Sequence, residues 1–374
     1  MNFFLMPWVL MASIFLTLVA TSGAAGIKTK NVVLITSDGV RWQEMFRGAE
    51  ASLLNKENGG VRDTNTVRSR FWREALEDRR RALFPFLWSK IDRQGQIFGN
   101  QDQFSVVRVM NGRNFSYPGY NEFLCGMPDP RIVSNSKLPN PNTNVFEWLN
   151  TRRGFQGRVA ATVNWEVIPW ILNAGRSRIP VWSGYPLPPK ALPLPSLPLW
   201  IEPALDATTP LFKDVILDAY TAEAALHLVK QSKPRALYFA FGETDEWAHE
   251  GRYDLYLSAA HNVDRFIARL WTEMQAIPQY RDQTTFVVTT DHGRGVSPTR
   301  WKGHGAEIEE SGFVWVAVFG PDTPPMGERC RVPELTQGQV ASTVAALVGE
   351  DFQQASSGAA PPIRDVLPPP AKPF

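Results

Sequence analysis

The sequence predicts an α/β fold with a mostly parallel central sheet and helices on both faces. Three short apolar runs carry the prediction, together with the amphipathic stretches between them. Asn31–Ser37 runs into Asp38-Gly39, Ala236–Phe241 into Gly242-Glu243-Thr244-Asp245, and Thr285–Thr290 into Asp291-His292-Gly293. Short β-branched and aromatic runs bounded by glycine mark central strands covered on both faces. Residues Lys213–Lys230 and Tyr253–Gln275 repeat apolar side chains every three or four positions and predict helices. Strand and helix alternate, which favours a doubly covered parallel sheet. Ligands bind such sheets beyond the carboxyl ends of the strands. All three acidic clusters are therefore expected on one rim.

The remaining segments follow from composition. Phe3 to Ala20 is apolar and small residues follow, so residues 1–25 are expected to be a signal peptide or an N-terminal anchor, with the rest of the chain outside the cytoplasm. Residues 26–358 are expected to form one domain. Within it, residues 180–210 read as a Pro-rich insertion: proline recurs eight times between positions 186 and 210, which argues against helix or central strand and for an extended surface wrap. A lid over the site is the other reading of this stretch. Residues 359–374 read as an extended or disordered Pro-rich tail. Apolar residues at 44% and charged residues at 20% are enough for a buried core, and a net charge of +2 argues against binding to a nucleic-acid duplex. Membrane association is expected only through an uncleaved N-terminus. Cys125 and Cys330 are the only cysteines, too few for a thiolate zinc site; the sequence leaves open whether they pair or remain free thiols.

Five histidines occur. Asp245 and His249 are four apart and share a face if a helix begins after the second strand. Asp291-His292 stands at a strand end, and His304 lies between two glycines that permit close backbone approach. Mixed His and carboxylate donors suit zinc first, with manganese or iron admissible. His227 and His261 lie in amphipathic helices and read as packing or surface residues. Arg41 can either reach a substrate phosphate or pair with Glu44 or Glu50, and Arg300 and Lys302 add positive charge near His304. Tyr117, Tyr120, Trp247 and Trp301 stand beside ligand candidates and read as wall packing rather than recognition.

Five blocks in order resemble the alkaline phosphatase superfamily, within it the type I phosphodiesterase/nucleotide pyrophosphatase-like branch. They are Val-Leu-Ile-Thr-Ser-Asp38-Gly-Val-Arg, Phe115-Ser116-Tyr-Pro-Gly-Tyr-Asn-Glu-Phe-Leu-Cys-Gly126, Asp245-Glu-Trp-Ala-His249, Asp291-His292-Gly and Gly303-His304-Gly, spanning Asn31 to Phe319. The resemblance implies an alkaline-phosphatase-like core and two divalent metal ions. One would be held by Asp245, His249 and His304, the other by Asp38, Asp291 and His292 with Ser116 Oγ. It implies Ser116 as the nucleophile, where the branch usually has Thr, and Asn135 as a donor to the substrate's oxygens. The Asn-His pair that follows the nucleophile in the branch is missing here. The implied reaction is hydrolysis of a small phosphate ester, di- or monoester, through a covalent phosphoserine. Phosphonate or sulfate-ester hydrolysis on the same metals is the alternative within the enzymes, and a non-catalytic envelope binding protein the alternative outside them. The Cys-x-Pro-x-Arg pattern of formylglycine sulfatases is absent, since Gly-Met-Pro-Asp follows Cys125.

Overall fold

The three acid-ended runs become the centre of a nine-stranded sheet. The structure is a computed structural model and describes residues 27–296 and 298–369. In chain order the strands are β1 (Asn31–Ser37), β2 (Gly95–Phe98), β3 (Val159–Val163), β4 (Pro180–Trp182), β5 (Leu192–Pro193), β6 (Ala236–Phe241), β7 (Thr284–Thr289), β8 (Val316–Phe319) and β9 (Gly327–Glu328). They lie in the order β9-β2-β8-β7-β1-β6-β3-β4-β5. β1 pairs parallel with both β6 and β7, Leu34 standing opposite Tyr238 on one side and Val287 on the other. β8 alone runs antiparallel to its neighbours. The expected mostly parallel sheet is therefore present, and the three acidic ends share one rim.

Alternation along the central strands splits the core into two layers. Val33, Ile35, Leu237, Phe239 and Phe286 face one cluster, while Val32, Leu34, Tyr238 and Val287 face the other. A strand buried on both faces needs apolar side chains at every position, which is why these runs carry no polar alternation. The principal helices are α1 (Pro85–Gln94), α2 (Ser116–Cys125), α3 (Ile201–Asp206), α4 (Asp218–Gln231), α5 (Glu243–His249), α6 (Tyr253–Ala276) and α7 (Gln339–Leu347). α1, α4 and α6 cover the first face through residues such as Trp88, Leu228 and Phe266. α2 and α7 cover the second through Tyr120, Phe123, Val340 and Val344.

Several expectations are corrected. The helix predicted from Lys213 begins at Asp218, because Val215 is taken by an antiparallel bridge to Trp165. The Pro-rich insertion is not wholly a wrap: it supplies β4 and the edge strand β5, and α3 forms with Pro203 in its first turn, where the missing N–H has no intrahelical partner to lose. The described part of the tail, residues 359–369, is packed rather than loose, with Ile363 and Val366 buried in the second cluster. Cys125 is buried, Cys330 is exposed, and both are free thiols. The expected export segment lies outside the described residues. Among those described, no helix is long and apolar enough to cross a membrane.

Candidate metal centre

Each side chain of the centre is delivered by the end of an element. Asp38 follows β1 and is tied to the rim by Thr244 Oγ1, which donates to its carbonyl at 2.5 Å. Gly39 turns the chain at φ +63°, and its amide donates to Asp291 Oδ1 at 3.1 Å. Asp245 and His249 sit on one face of α5, as the four-residue spacing requires, with His249 Nε2 3.1 Å from Asp245 Oδ2. Asp291 and His292 follow β7 and are fully buried. His304 arrives on the loop after β7, its Nε2 3.0 Å from that of His249 and its ring stacked on His292 at 3.8 Å.

The tautomers of two histidines follow from their outer nitrogens. His292 Nδ1 faces the Gly293 carbonyl at 2.9 Å, and His304 Nδ1 faces the Asn114 carbonyl at 3.1 Å. Carbonyls only accept, so each Nδ1 carries the proton and each Nε2 presents a lone pair to the centre. His292 Nε2 stands 3.3 Å from Asp38 Oδ1 and 3.4 Å from Asp291 Oδ2, and both of these buried oxygens lack a hydrogen-bond partner. Two inward carboxylate oxygens without a hydrogen-bond donor, beside an imidazole nitrogen, suit a cation and are what a hydrogen-bonded core avoids. Two groups of mutually close donors result: Asp38, Asp291 and His292, and Asp245, His292 and His304. His292 borders both; its 4.0 Å to Asp245 Oδ1 against 3.3 and 3.4 Å to the other pair assigns it to Asp38 and Asp291. His249 Nε2 lies against the second group, 3.0 Å from His304 Nε2 and 3.1 Å from Asp245 Oδ2.

Electrostatics agree. Burial pushes the Asp38 and Asp291 carboxyls well above the usual range, and their nearness to each other and to Asp245 adds to it. A cation in their midst would favour the ionised form of both. Burial would lift Asp245 as well, but Arg294 and the neighbouring histidines hold it well below the usual range. Burial, with His292 next to it, keeps His304 neutral by lowering its pKa well below normal.

Ser116 opens α2 and is 6% exposed, with Oγ 3.5 Å from His292 Nε2. α2 comes this close because Gly119 lies against the Asp291 carbonyl, where no Cβ fits. Asn135 is exposed, and its Oδ1 accepts the Tyr117 amide at 2.9 Å, which sets its side chain at the start of the same helix. The structure therefore brings Asp38, Ser116, Asp245, His249, Asp291, His292 and His304 together, and sets Asn135 at the start of α2 only through the Tyr117 amide.

The bystanders separate cleanly. Arg41 is buried and bound by both Glu44 and Glu50, the latter at 2.8 Å, so its alternatives close on pairing, in the interior rather than at the surface. Arg300 Nη2 donates to the Glu307 carbonyl at 2.7 Å. Tyr117, Tyr120 and Trp301 are buried wall, whereas Trp247 is half-buried with its ring edge-on to Phe212 at 4.9 Å. His261 Nδ1 bonds the Leu83 carbonyl at 2.8 Å and His227 meets Ser196 at 3.1 Å, both away from the centre. Two contributions went unread in the sequence, the hydroxyl of Tyr120, read as wall packing alone, and Arg294. Tyr120 donates to Asp38 Oδ2 at 3.2 Å, and Arg294, fully buried, pairs with Asp245 Oδ1. The position of Arg294 two residues after His292 is the one sequence signal that bore on it.

Known proteins share this fold. Residues 212–344 match the family model of the Metalloenzyme superfamily, a stretch that includes Asp245, His249, Asp291, His292 and His304. No curated protein sequence matches the chain. Among solved structures, the phosphonate monoester hydrolase of Silicibacter pomeroyi superposes with a TM-score of 0.53 at 13% identity, over 92% of this chain and 78% of that one. Murine ectonucleotide pyrophosphatase/phosphodiesterase 5 gives 0.51 at 11%, over 90% and 100%. The C-terminal periplasmic domain of EcEptC from Escherichia coli, in complex with Zn, gives 0.51 at 11%, over 92% and 88%. Fold and family match together bear out the resemblance read from the sequence.

Proposed function

On the premise that the chain shares the fold of the alkaline phosphatase superfamily, we propose that it is an exported two-metal hydrolase of phosphate esters, with diesters preferred and Ser116 as nucleophile. The observation that carries this is the contact of Ser116 Oγ with His292 Nε2 at 3.5 Å, beside two buried carboxylate oxygens, Asp38 Oδ1 and Asp291 Oδ2, that lack a hydrogen-bond partner. Asp38, Asp291 and His292 would hold one ion, and Asp245, His249 and His304 the other; zinc suits the donor set. Bound there, the ions supply the positive charge that deprotonates a serine hydroxyl at neutral pH and offsets charge on the leaving oxygen.

The chain's own residues do the rest. Ser116 Oγ attacks phosphorus, the bond to the leaving alcohol breaks, and a phosphoserine forms. Asn135, held by the Tyr117 amide, keeps its side-chain NH2 for a non-bridging oxygen, and the first-turn amide of Ser116 donates alongside it. Water then cleaves the serine ester and restores the hydroxyl. The charge balance favours diesters. The buried arginines Arg41 and Arg294 are both bound to carboxylates and carbonyls, and Lys302 Nζ lies against Gly251. A monoester dianion is better matched by a free cation at its extra oxygen. Export rests on the apolar residues 3–20 and their small-residue flank.

Hydrolysis of bis-nitrophenyl phosphate, nitrophenyl phosphate and nitrophenyl sulfate, each with wild type and Ser116→Ala, tests the proposal. The diester is expected to turn over fastest, and Ser116→Ala to lose about a thousandfold or more while still binding metal. Equal turnover in the variant removes Ser116 from the mechanism; a faster sulfate ester moves the assignment to sulfatase.

A further inference from the structure

Arg294 is an unusual neighbour for a metal ligand. It is 1% exposed and cannot swing away, because Nε donates to the Trp301 carbonyl at 3.0 Å and Nη2 to the Lys302 carbonyl. The remaining arm, Nη1, is aimed at Asp245 Oδ1. Gly39 seals the arrangement, since a Cβ there would stand 2.7 Å from Arg294 Nη1 and 2.8 Å from Asp245 Oδ1. Asp245 is thus left one oxygen clear of Arg294, Oδ2, which stands 3.1 Å from His249 Nε2.

Counting the charged side chains in contact, the two donor groups differ sharply. Asp38 and Asp291 beside His292 offer an ion two negative charges, and both inward oxygens lack a hydrogen-bond partner. Asp245 with two histidines offers one negative charge, and Arg294 cancels it. A fixed guanidinium a few ångströms from a dication also repels it directly. At an effective dielectric of about 20, such a unit charge changes affinity by about tenfold or more.

We infer that Arg294 makes the two ion positions unequal, so that the Asp38–Asp291–His292 position fills first and tightly and the Asp245–His249–His304 position fills second and exchanges readily. The inference rests on the two-metal reading given above. Arg294 acts here through Asp245: it is a positioning residue that holds the second position in shape when empty and keeps its ion loosely bound.

The test is a titration of the metal-free full chain with zinc, followed by calorimetry and by competition with a chromophoric chelator. Wild type is expected to bind in two steps with dissociation constants at least about tenfold apart. Asp245→Asn should abolish the weak step and Asp291→Asn the tight one. Arg294→Met, which keeps bulk and removes charge, should tighten the weak step about tenfold or more and change the other by less, since Arg294 pairs with Asp245 and only neighbours Asp38. Arg294→Lys should retain the wild-type separation. Two equal steps in wild type, or a weak step left unchanged or weakened in Arg294→Met, overturn the inference while the two-metal reading stands. Failure of wild type to bind zinc overturns both. Should Arg294→Met not fold, the wild-type and Arg294→Lys titrations still decide.

Discussion

At the scale of single residues, the centre depends on a glycine as much as on its ligands. Gly39 combines a left-handed φ of +63° with contacts that leave no room for a methyl group beside Arg294 and Asp245. Gly39→Ala is expected to destabilise the fold by about 1–3 kcal/mol, from backbone strain and the displaced ion pair. It should also lower bound zinc toward one ion per chain. Denaturant unfolding and metal analysis on the same preparation check both; two retained ions would mean that Asp245 tolerates the shift. The ligands themselves were legible in the sequence because their types are scarce. Three of the five histidines stood beside strand ends or glycines, and each had a carboxylate in reach of the same rim. Arg294 was not legible. A surface arginine and a buried one look alike in sequence, and what buries this one is a pair of carbonyls, Trp301 and Lys302, on a loop of irregular course. Arg41 was half legible: its spacing to Glu44 was visible, its burial was not.

At the scale of elements, helix α1 shows how a buried carboxylate anchors a helix and what that does to stability. Asp264 on α6 accepts the amides of Phe86 and Leu87 at 2.9 and 2.8 Å, in the first turn of α1. Burial nevertheless pushes its carboxyl up to about 7. The unfolded chain loses this proton near pH 4, so between about 4 and 7 the folded state holds more protons and stability falls as pH rises. That fall is expected to reach roughly 2–4 kcal/mol. Asp264→Asn should flatten this limb of the curve, while costing about 1 kcal/mol at low pH through a weakened cap. Denaturant midpoints for both proteins across that range check the slope; parallel curves would show that Asp264 titrates normally. Periodicity predicted α6 to within a residue of its observed end, since its apolar stripe is continuous. It began α4 too early because Phe212, Val215 and Ile216 mimic a helical stripe, whereas Val215 is claimed by Trp165 in a bridge that local sequence does not encode.

At the scale of the whole molecule, the centre gathers residues from Asp38 to His304, so bound ions tie together the ends of β1, β6 and β7, the start of α2 and a distant loop. Chelation of the metal-loaded protein should lower its melting temperature by several degrees, in line with a loss of about 2.7 kcal/mol when free metal had stood at a hundred times its dissociation constant. Added zinc should restore it, and Ser116→Ala should follow the same course, because it leaves the carboxylates and histidines in place. A melting temperature indifferent to chelator would show that the centre assembles without ions. The sequence placed the three acidic strand ends on one rim but could not say that β7, β1 and β6 are immediate neighbours, because strand order is decided by pairing between segments far apart in the chain.

The Pro-rich edge of the sheet has a consequence for how the protein behaves among copies of itself. β5 is two residues long and ends on Pro193, and the opposite margin, β9, is equally short. A border strand ending in proline has one fewer N–H to offer, and a two-residue border gives an incoming strand little to align with. The insertion therefore serves as a stop on lateral growth. A broad, very apolar sheet that could otherwise recruit further chains into fibrous stacks is closed off at both margins.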